Sequence, residues 1–424
     1  MCGSNAISIK LSPQPNNNSE MRLLFVHERI GAFGGAEANI LLAAEELRRR
    51  GHSVGMAHGS GAGRGEAEWR DVFAERFALS GSADALDRAL AQFQPDVIFL
   101  HKLSDVRVLH SLATCGRPVV RMVHDHDLYC MRSYKYHYFS RRICTRAASA
   151  YCIFPCGASV ARGTEAGFPL RWVSYSAKRR EIDVNKKYHR LIVATAYMRE
   201  ELLRNGFALD QIEIHAPVPR AAESPDSPSF SGRNLIVYAG QIVRGKGVDV
   251  LLESLARVTA PFECVILGDG SQRAECERLS RRLGLDGRVR FAGFVPQAEI
   301  AGFYRDASLA VMSSVWPEPF GAAGLEAMRR GLPVVAFDAG GIREWLLDGV
   351  NGFLVPWMDR DAFAGKVDAL LLDKALARRL GQCGRQLADE RFNLDAYIDG
   401  LEGLLGRAAE LPTAAYAEPE DPQS

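Results

Sequence analysis

The chain has 424 residues, of which 24 % are charged and 47 % hydrophobic, and its formal net charge is +1. That length exceeds one ordinary core and makes two domains the default. The near-neutral balance excludes a global nucleic-acid field, and without a run of about 18 apolar residues a membrane-spanning helix is excluded too.

Residues 1–20 are polar, with Asn16, Asn17, Asn18 and Ser19 in a row, and lack the apolar core of a signal peptide. A disordered extension and a cytoplasmic protein are expected. Met21–His27 reads as the first strand. Apolar runs at 22–27, 53–57, 96–100, 118–123, 191–195 and 211–214 alternate with helical patterns near 36–50, 83–93, 105–113 and 197–205. This alternation marks parallel sheets covered by helices.

After the first run comes Gly31–Glu37, with Gly34 and Gly35 opening a helix. Glycines there let backbone approach a ligand, and the helix start attracts anions. A plain tight turn is the alternative. The string is not Gly-x-Gly-x-x-Gly, so nicotinamide dinucleotide binding is poorly supported. His124-Asp125-His126-Asp127 follows the strand at 118–123 and could hold a metal, orient a base or cap a turn.

Nine cysteines in a cytoplasmic chain argue against a disulfide framework. Cys130, Cys144, Cys152 and Cys156 cluster near 125–165. A structural zinc, reduced thiols or an iron–sulfur cluster each fit that irregular spacing. From Tyr129 to Arg190, thirteen Lys/Arg face three Asp/Glu among several aromatics. Such a face suits an anionic membrane surface, a lipid-diphosphate acceptor, RNA or plain solvent.

Pro217–Pro228 is rich in proline and polar residues and reads as the interdomain linker. The strand rhythm then restarts at Leu235–Gly240, Cys264–Gly268, Val289–Gly293, Leu309–Met312 and Val334–Phe337. Gly240–Asp249 places Lys246 between glycines, suited to a phosphate or simply to solvent. It is not a P-loop, because the following Ser/Thr is missing. Pro317–Met328 carries Glu318 in a proline-stiffened loop and Glu326 inside the helix that follows. Two carboxylates along one groove suit a hydroxyl-covered ligand. The helix-start amides near Phe320, Gly321 and Ala322 suit an anion. Together they point to a sugar nucleotide, and two-carboxylate hydrolysis is the rival chemistry.

The strings Pro317-Glu318-Pro319-Phe320-Gly321 and Gly324-Leu325-Glu326-Ala327-Met328 resemble the signature of the family 4 retaining glycosyltransferases. The resemblance spans roughly 21 to 405 and is strongest from 232 to 356. It implies an α/β fold of two doubly wound Rossmann-like domains facing across a cleft, called GT-B. The corresponding map is a disordered extension at 1–20, an acceptor-side domain at 21–215 carrying the cysteine insertion, a linker at 216–232, a donor domain at 233–390, a helix at 391–410 crossing back, and a disordered tail at 411–424. It implies that Lys246 serves the diphosphate, with Gln241 where the family has arginine and Arg244 as the nearby substitute. Gly34 and Gly35 would lie near the diphosphate and acceptor, and His124 beside the donor sugar. Backbone around Gly268 and Val295 would frame the base. Glu326 would take the ribose diol, and Glu318 the sugar hydroxyls or the cationic transition state. The implied function is metal-independent, retaining transfer from a nucleotide-diphosphate sugar to a glycan or lipid-linked acceptor, at the inner face of an anionic membrane and with no nucleic-acid partner. A sugar-nucleotide epimerase and a degenerate scaffold, the latter favoured only by Gln241, are the alternatives.

Overall fold

Fully apolar runs flanked by amphipathic helices belong in sheets buried on both faces, and they fold that way here. The computed structural model describes residues 20–31, 34–63, 65–79, 84–162, 170–219, 228–230 and 233–411. The extension at 1–19, the tail at 412–424 and linker residues 220–227 and 231–232 lie outside them. The described residues form two units.

The N-terminal unit holds β1 (Arg22–Ile30), β2 (Ser53–Gly61), β3 (Glu75–Ala78), β4 (Val97–Leu100), β5 (Val119–Val123), the hairpin β6 (Val160–Arg162) and β7 (Leu170–Trp172), β8 (Arg190–Val193) and β9 (Ile212–Ile214). Seven of these strands form one parallel sheet in the order β3-β2-β1-β4-β5-β8-β9. The order reverses between β1 and β4, which opens a crevice at the carboxyl ends of those strands. The helices are α1 (Gly35–Arg49), α2 (Glu66–Val72), α3 (Ala85–Phe93), α4 (Val106–Thr114), α5 (Tyr175–Asn185) and α6 (Ala196–Arg204). Leu24, Val26, Ile98 and Leu100 from adjacent strands meet Phe93, Leu109 and Leu112 of the helices in the core.

The C-terminal unit holds β10 (Leu235–Ala239), β11 (Glu263–Leu267), β12 (Val289–Gly293), β13 (Leu309–Met312), β14 (Val334–Phe337) and β15 (Gly352–Val355). They make a parallel sheet in the order β12-β11-β10-β13-β14-β15, reversing between β10 and β13. Helices α7 (Val248–Leu255), α8 (Arg273–Arg282), α9 (Gln297–Asp306), α10 (Ala322–Arg329), α11 (Arg360–Leu372) and α12 (Lys374–Arg391) cover it. Ile236, Ile266, Val311 and Val335 of the sheet pack on Leu251, Leu255, Phe363 and Val367.

Two segments change sides. Tyr134–Cys144, from the insertion expected near 125–165, groups with the C-terminal unit. The last helix, α13 (Leu394–Ala409), groups with the N-terminal unit and packs on α1, β4 and β5. Asn39 Nδ2 donates to the Tyr397 hydroxyl at 3.1 Å. The His215 ring stacks on Tyr397, 4.6 Å between centroids, and bonds its carbonyl at 2.7 Å. Arg50 pairs with Glu402 at 2.8 Å on the other flank.

Two of the three glycines of α13, Gly400 and Gly406, should respond oppositely to alanine. A Cβ at Gly400 would lie 2.6 Å from His215 Cε1, whereas nothing stands within 4 Å at Gly406. Gly400→Ala is expected to destabilise by about 1–3 kcal/mol through overpacking, and Gly406→Ala to stabilise by up to about 1 kcal/mol through helix propensity. Denaturant unfolding of both variants measures this, and equal signs would contradict the docked position of α13.

Candidate functional site

Strand β10 leads into a glycine loop that closes as a 3₁₀ turn at Arg244–Lys246. Gly247 then takes φ 64° and caps α7. A Cβ there would sit 2.2 Å from the Ser313 carbonyl oxygen, so position and conformation both demand glycine. The turn aims Lys246 at Glu318, whose Oε1 accepts from Lys246 Nζ at 2.7 Å. Trp316 Nε1 donates to the same oxygen at 2.9 Å, and so does the Ser314 hydroxyl. Among the described residues no donor is bonded to Glu318 Oε2.

Glu318 is only 3 % exposed. Burial opposes its ionisation, but Lys246, Ser314 and Trp316 override that and hold its pKa below the ordinary value. Its backbone is fixed as well. Its N–H donates to the Ala339 carbonyl at 3.1 Å, and its carbonyl accepts from Gly341 at 2.7 Å. Gly340 turns there at φ 69°, where a Cβ would meet Glu318 oxygen at 2.5 Å.

Gly321 caps α10 in the left-handed region, φ 89°, with no side chain bonded to the helix start. The amides at the start of α10 therefore have no side-chain cap, the condition in which a helix end can take an anion. Phe320 is buried, its carbonyl accepting from Trp345 Nε1 at 2.7 Å. Gly324 lets Trp345 press on the helix, since a Cβ would lie 2.2 Å from Trp345 Cη2. Glu326 is half-buried on α10. Burial first, and then the Glu326 charge, push the Tyr304 phenol up. On the other side of β10, Gly268 donates its N–H to the Gly293 carbonyl at 2.7 Å, and a Cβ at Gly268 would lie 2.0 Å from Gly240 oxygen. Val295 follows, half-exposed. The structure thus gathers Lys246 with Glu318, and Gly268 with the loop that leads to Lys246.

Gly34, Gly35 and His124 belong to the N-terminal unit. Gly34 caps α1 without a side-chain bond, and a Cβ on it would meet Glu37 Oε2 at 2.6 Å. Glu37 lies 3.8 Å from buried His27 Nε2. Burial opposes its charge, yet His27 and the helix-start N–H bring its pKa down to about 2. His124 Nε2 lies 2.9 Å from His101 Nδ1. Burial and the nearby His27 depress His124 to about 3, so it is a neutral hydrogen-bonding ring at pH 7. His126 is buried against the Tyr129 hydroxyl at 2.8 Å and serves the core.

Sequence reading missed Lys102, which pairs with Asp127 and lies 3.3 Å from Asp125. Burial and then the Asp127 charge push Asp125 up to about 6. Nothing in the chain order near Lys102 signalled this, because the partners come from the next strand end. Ser314 and Trp316 were missed too, although they flank Glu318 in sequence.

The four cysteines divide. Cys144 lies in the segment grouped with the C-terminal unit, and Cys130, Cys152 and Cys156 in the other. All four are free thiols. Burial pushes the Cys156 thiol up. Among the described residues no group of three or more His, Cys, Asp or Glu side chains is placed to hold a metal ion.

Two parallel α/β sheets, each with a glycine loop feeding a helix start, define a protein of two Rossmann-like domains. A model of the glycosyl transferases group 1 matches residues 219–387, and one of glycosyltransferase family 4 matches 33–216. The chain belongs to the group 1 glycosyltransferases of GT-B fold. It is 33 % identical over 171 residues to the lipopolysaccharide core biosynthesis glycosyltransferase LpsE of Rhizobium meliloti, covering 40 % of this chain and 49 % of that one. It is 31 % identical over 200 residues to the alpha-D-kanosaminyltransferase of Streptomyces kanamyceticus, covering 46 % and 52 %. The chain thus spans about half the length of the curated relatives it matches. Anabaena HepE, solved in complex with UDP and glucose, superposes with a TM-score of 0.70 at 20 % identity over 92 % of this chain and 100 % of that one.

Cutting the buried pair on one side should expose its electrostatics. The Glu318 contribution is present above the ordinary carboxylate pKa of 4.5 and is lost as pH falls through its lowered folded value. Lys246→Met leaves a buried carboxylate that prefers to be protonated. The variant is expected to lose about 2–4 kcal/mol at pH 7, with the gap to the parent closing below about pH 4. Urea unfolding at both pH values measures it, and a pH-independent gap would refute the pairing.

Proposed function

We propose that the protein moves a sugar from a nucleotide-diphosphate donor to a glycan or lipid-linked acceptor with retention at the anomeric carbon and without a catalytic metal. The observation that carries this reading is the Lys246–Glu318 pair beneath Gly247, with the uncapped start of α10 in the same unit. In the reaction the bond between the anomeric carbon and the diphosphate oxygen breaks. An acceptor hydroxyl oxygen bonds to the same face of the sugar, and its proton passes to the departing diphosphate. Charge grows on that diphosphate, so fixed cations and amides lower the barrier without reorganising. Lys246, Arg244 and the amides of Phe320, Gly321 and Ala322 supply them. Glu326 accepts the ribose hydroxyls. Glu318 orients Lys246 through Oε1 and offers Oε2 to the sugar side. His124, neutral, hydrogen-bonds a sugar hydroxyl, and the loop at Gly34 and Gly35 lets backbone approach the ligands.

The relative LpsE is named for lipopolysaccharide core synthesis, and HepE was solved with UDP and glucose. By analogy, the product here is a surface glycan or glycolipid, and the donor a uridine-type nucleotide sugar. No helix among the described residues is long and apolar enough to cross a membrane. The basic, aromatic stretch from Tyr129 to Arg190 supports peripheral contact with an anionic cytoplasmic leaflet.

A donor screen with nucleotide release as readout tests the reading. Release is expected to need both donor and acceptor and to persist in EDTA, with the anomeric configuration kept in the product by NMR. A product that is an epimer of the donor sugar would favour the epimerase alternative, and no binding of any donor the scaffold alternative. Glu326→Ala is expected to weaken donor binding by about tenfold, the loss of hydrogen bonds to a charged group. Unchanged affinity in calorimetry would remove Glu326 from the site.

A further inference from the structure

The segment Tyr134–Cys144 comes from the first half of the sequence and sits in the C-terminal unit. It folds back on itself. His137 donates to the Arg142 carbonyl at 2.9 Å, Cys144 to the Lys135 carbonyl at 2.7 Å, and Tyr136 bridges Ile143. Lys135 and Arg141 hold left-handed backbone, φ 50° and 59°. Non-glycine residues adopt that region at a cost and keep it only where their surroundings fix them.

Three contacts do the fixing, and all three fall on the glycine loop and its wall. The Arg141 guanidinium grips Asp249 with both prongs, Nη1–Oδ1 at 3.1 Å and Nη2–Oδ2 at 2.5 Å. Asp249 stands in the first turn of α7, directly beyond the loop. Arg244 lies over the Tyr138 ring at 4.9 Å, and its Nε and Nη2 donate to the Tyr138 carbonyl at 3.3 and 3.1 Å. The Tyr134 ring meets Trp316, the residue that donates to Glu318, at 6.1 Å.

Arg244 shares its 3₁₀ turn with Lys246. The Tyr138 ring lies against its guanidinium, and the Tyr138 carbonyl takes the Nε–Nη2 edge. Among the described residues Nη1 has no partner. A planar fork held this way loses little freedom when an anion arrives.

We infer that Tyr134–Cys144 is a positioning strap: Arg141 on Asp249 and the Tyr138 ring and carbonyl hold Arg244 as the second cation for the donor diphosphate, the charge that Gln241 does not carry. This rests on the donor reading above. Arg141, Asp249 and Tyr138 act through Arg244 and are positioning residues.

Calorimetric titration of the full chain with UDP, GDP, ADP, CDP and dTDP separates the two ideas. The parent protein is expected to bind at least one. Arg244→Ala should weaken that diphosphate by about tenfold. Arg141→Ala and the shape-conserving Asp249→Asn should weaken it by about fivefold. In the Arg244→Ala background, Arg141→Ala should add less than about twofold, because the strap acts through the missing side chain. Ligand-free unfolding curves identify any variant that fails to fold, and Asp249→Asn and Tyr138→Leu then carry the comparison. Parent binding with an unchanged Kd in the folded Arg141→Ala, Asp249→Asn or Tyr138→Leu proteins would overturn the strap alone. So would equal losses in both backgrounds. A parent that binds none of the five diphosphates would overturn the donor reading and the strap with it.

Discussion

A carboxylate that is nearly all buried is tolerable only when its charge is met, and Glu318 is met three times on one oxygen. Much of the C-terminal unit follows from that requirement. Lys246 must arrive from the end of β10, so the loop must turn tightly enough for only glycine to fit at 247. Ser314 and Trp316 must leave β13 pointing at the same place. Gly340 must let the next loop approach the Glu318 backbone. The arrangement concentrates one cation and one carboxylate beside a helix start, where water is partly excluded and charge interactions are strong.

The N-terminal unit solves a different problem. His27, His101 and His124 crowd together at strand ends, and burial with mutual repulsion keeps His101 and His124 neutral. The negative charge of Glu37 lies at the helix start, where the helix dipole favours it. The result is a largely buried cluster of rings in which His101 and His124 are neutral.

Period and composition read most of the sheets correctly. Leu23–Val26, Ile236–Tyr238 and Val334–Phe337 are uninterrupted apolar runs, and they became central parallel strands as such runs do. The short β15, Gly352–Val355, escaped because a glycine opens it and few residues carry the pattern. Helix α5 escaped because its sequence, Tyr175–Asn185, is mostly polar. Glu318 and Lys246 stood out in sequence, but their partnership did not. Residues 72 positions apart meet only because the strand order reverses between β10 and β13.

The departure of Tyr134–Cys144 to the C-terminal unit, paired with the return of α13, ties the chain into a reciprocal exchange. Each unit borrows a piece from the far side of the linker, so a cut between residues 219 and 228 would leave two fragments, each short of one element. During synthesis the first sheet waits, with its α1 and β4 surfaces bare, until residues near 409 have been made. The order of manufacture and the order of completion are therefore different, and the earliest-made half is finished last.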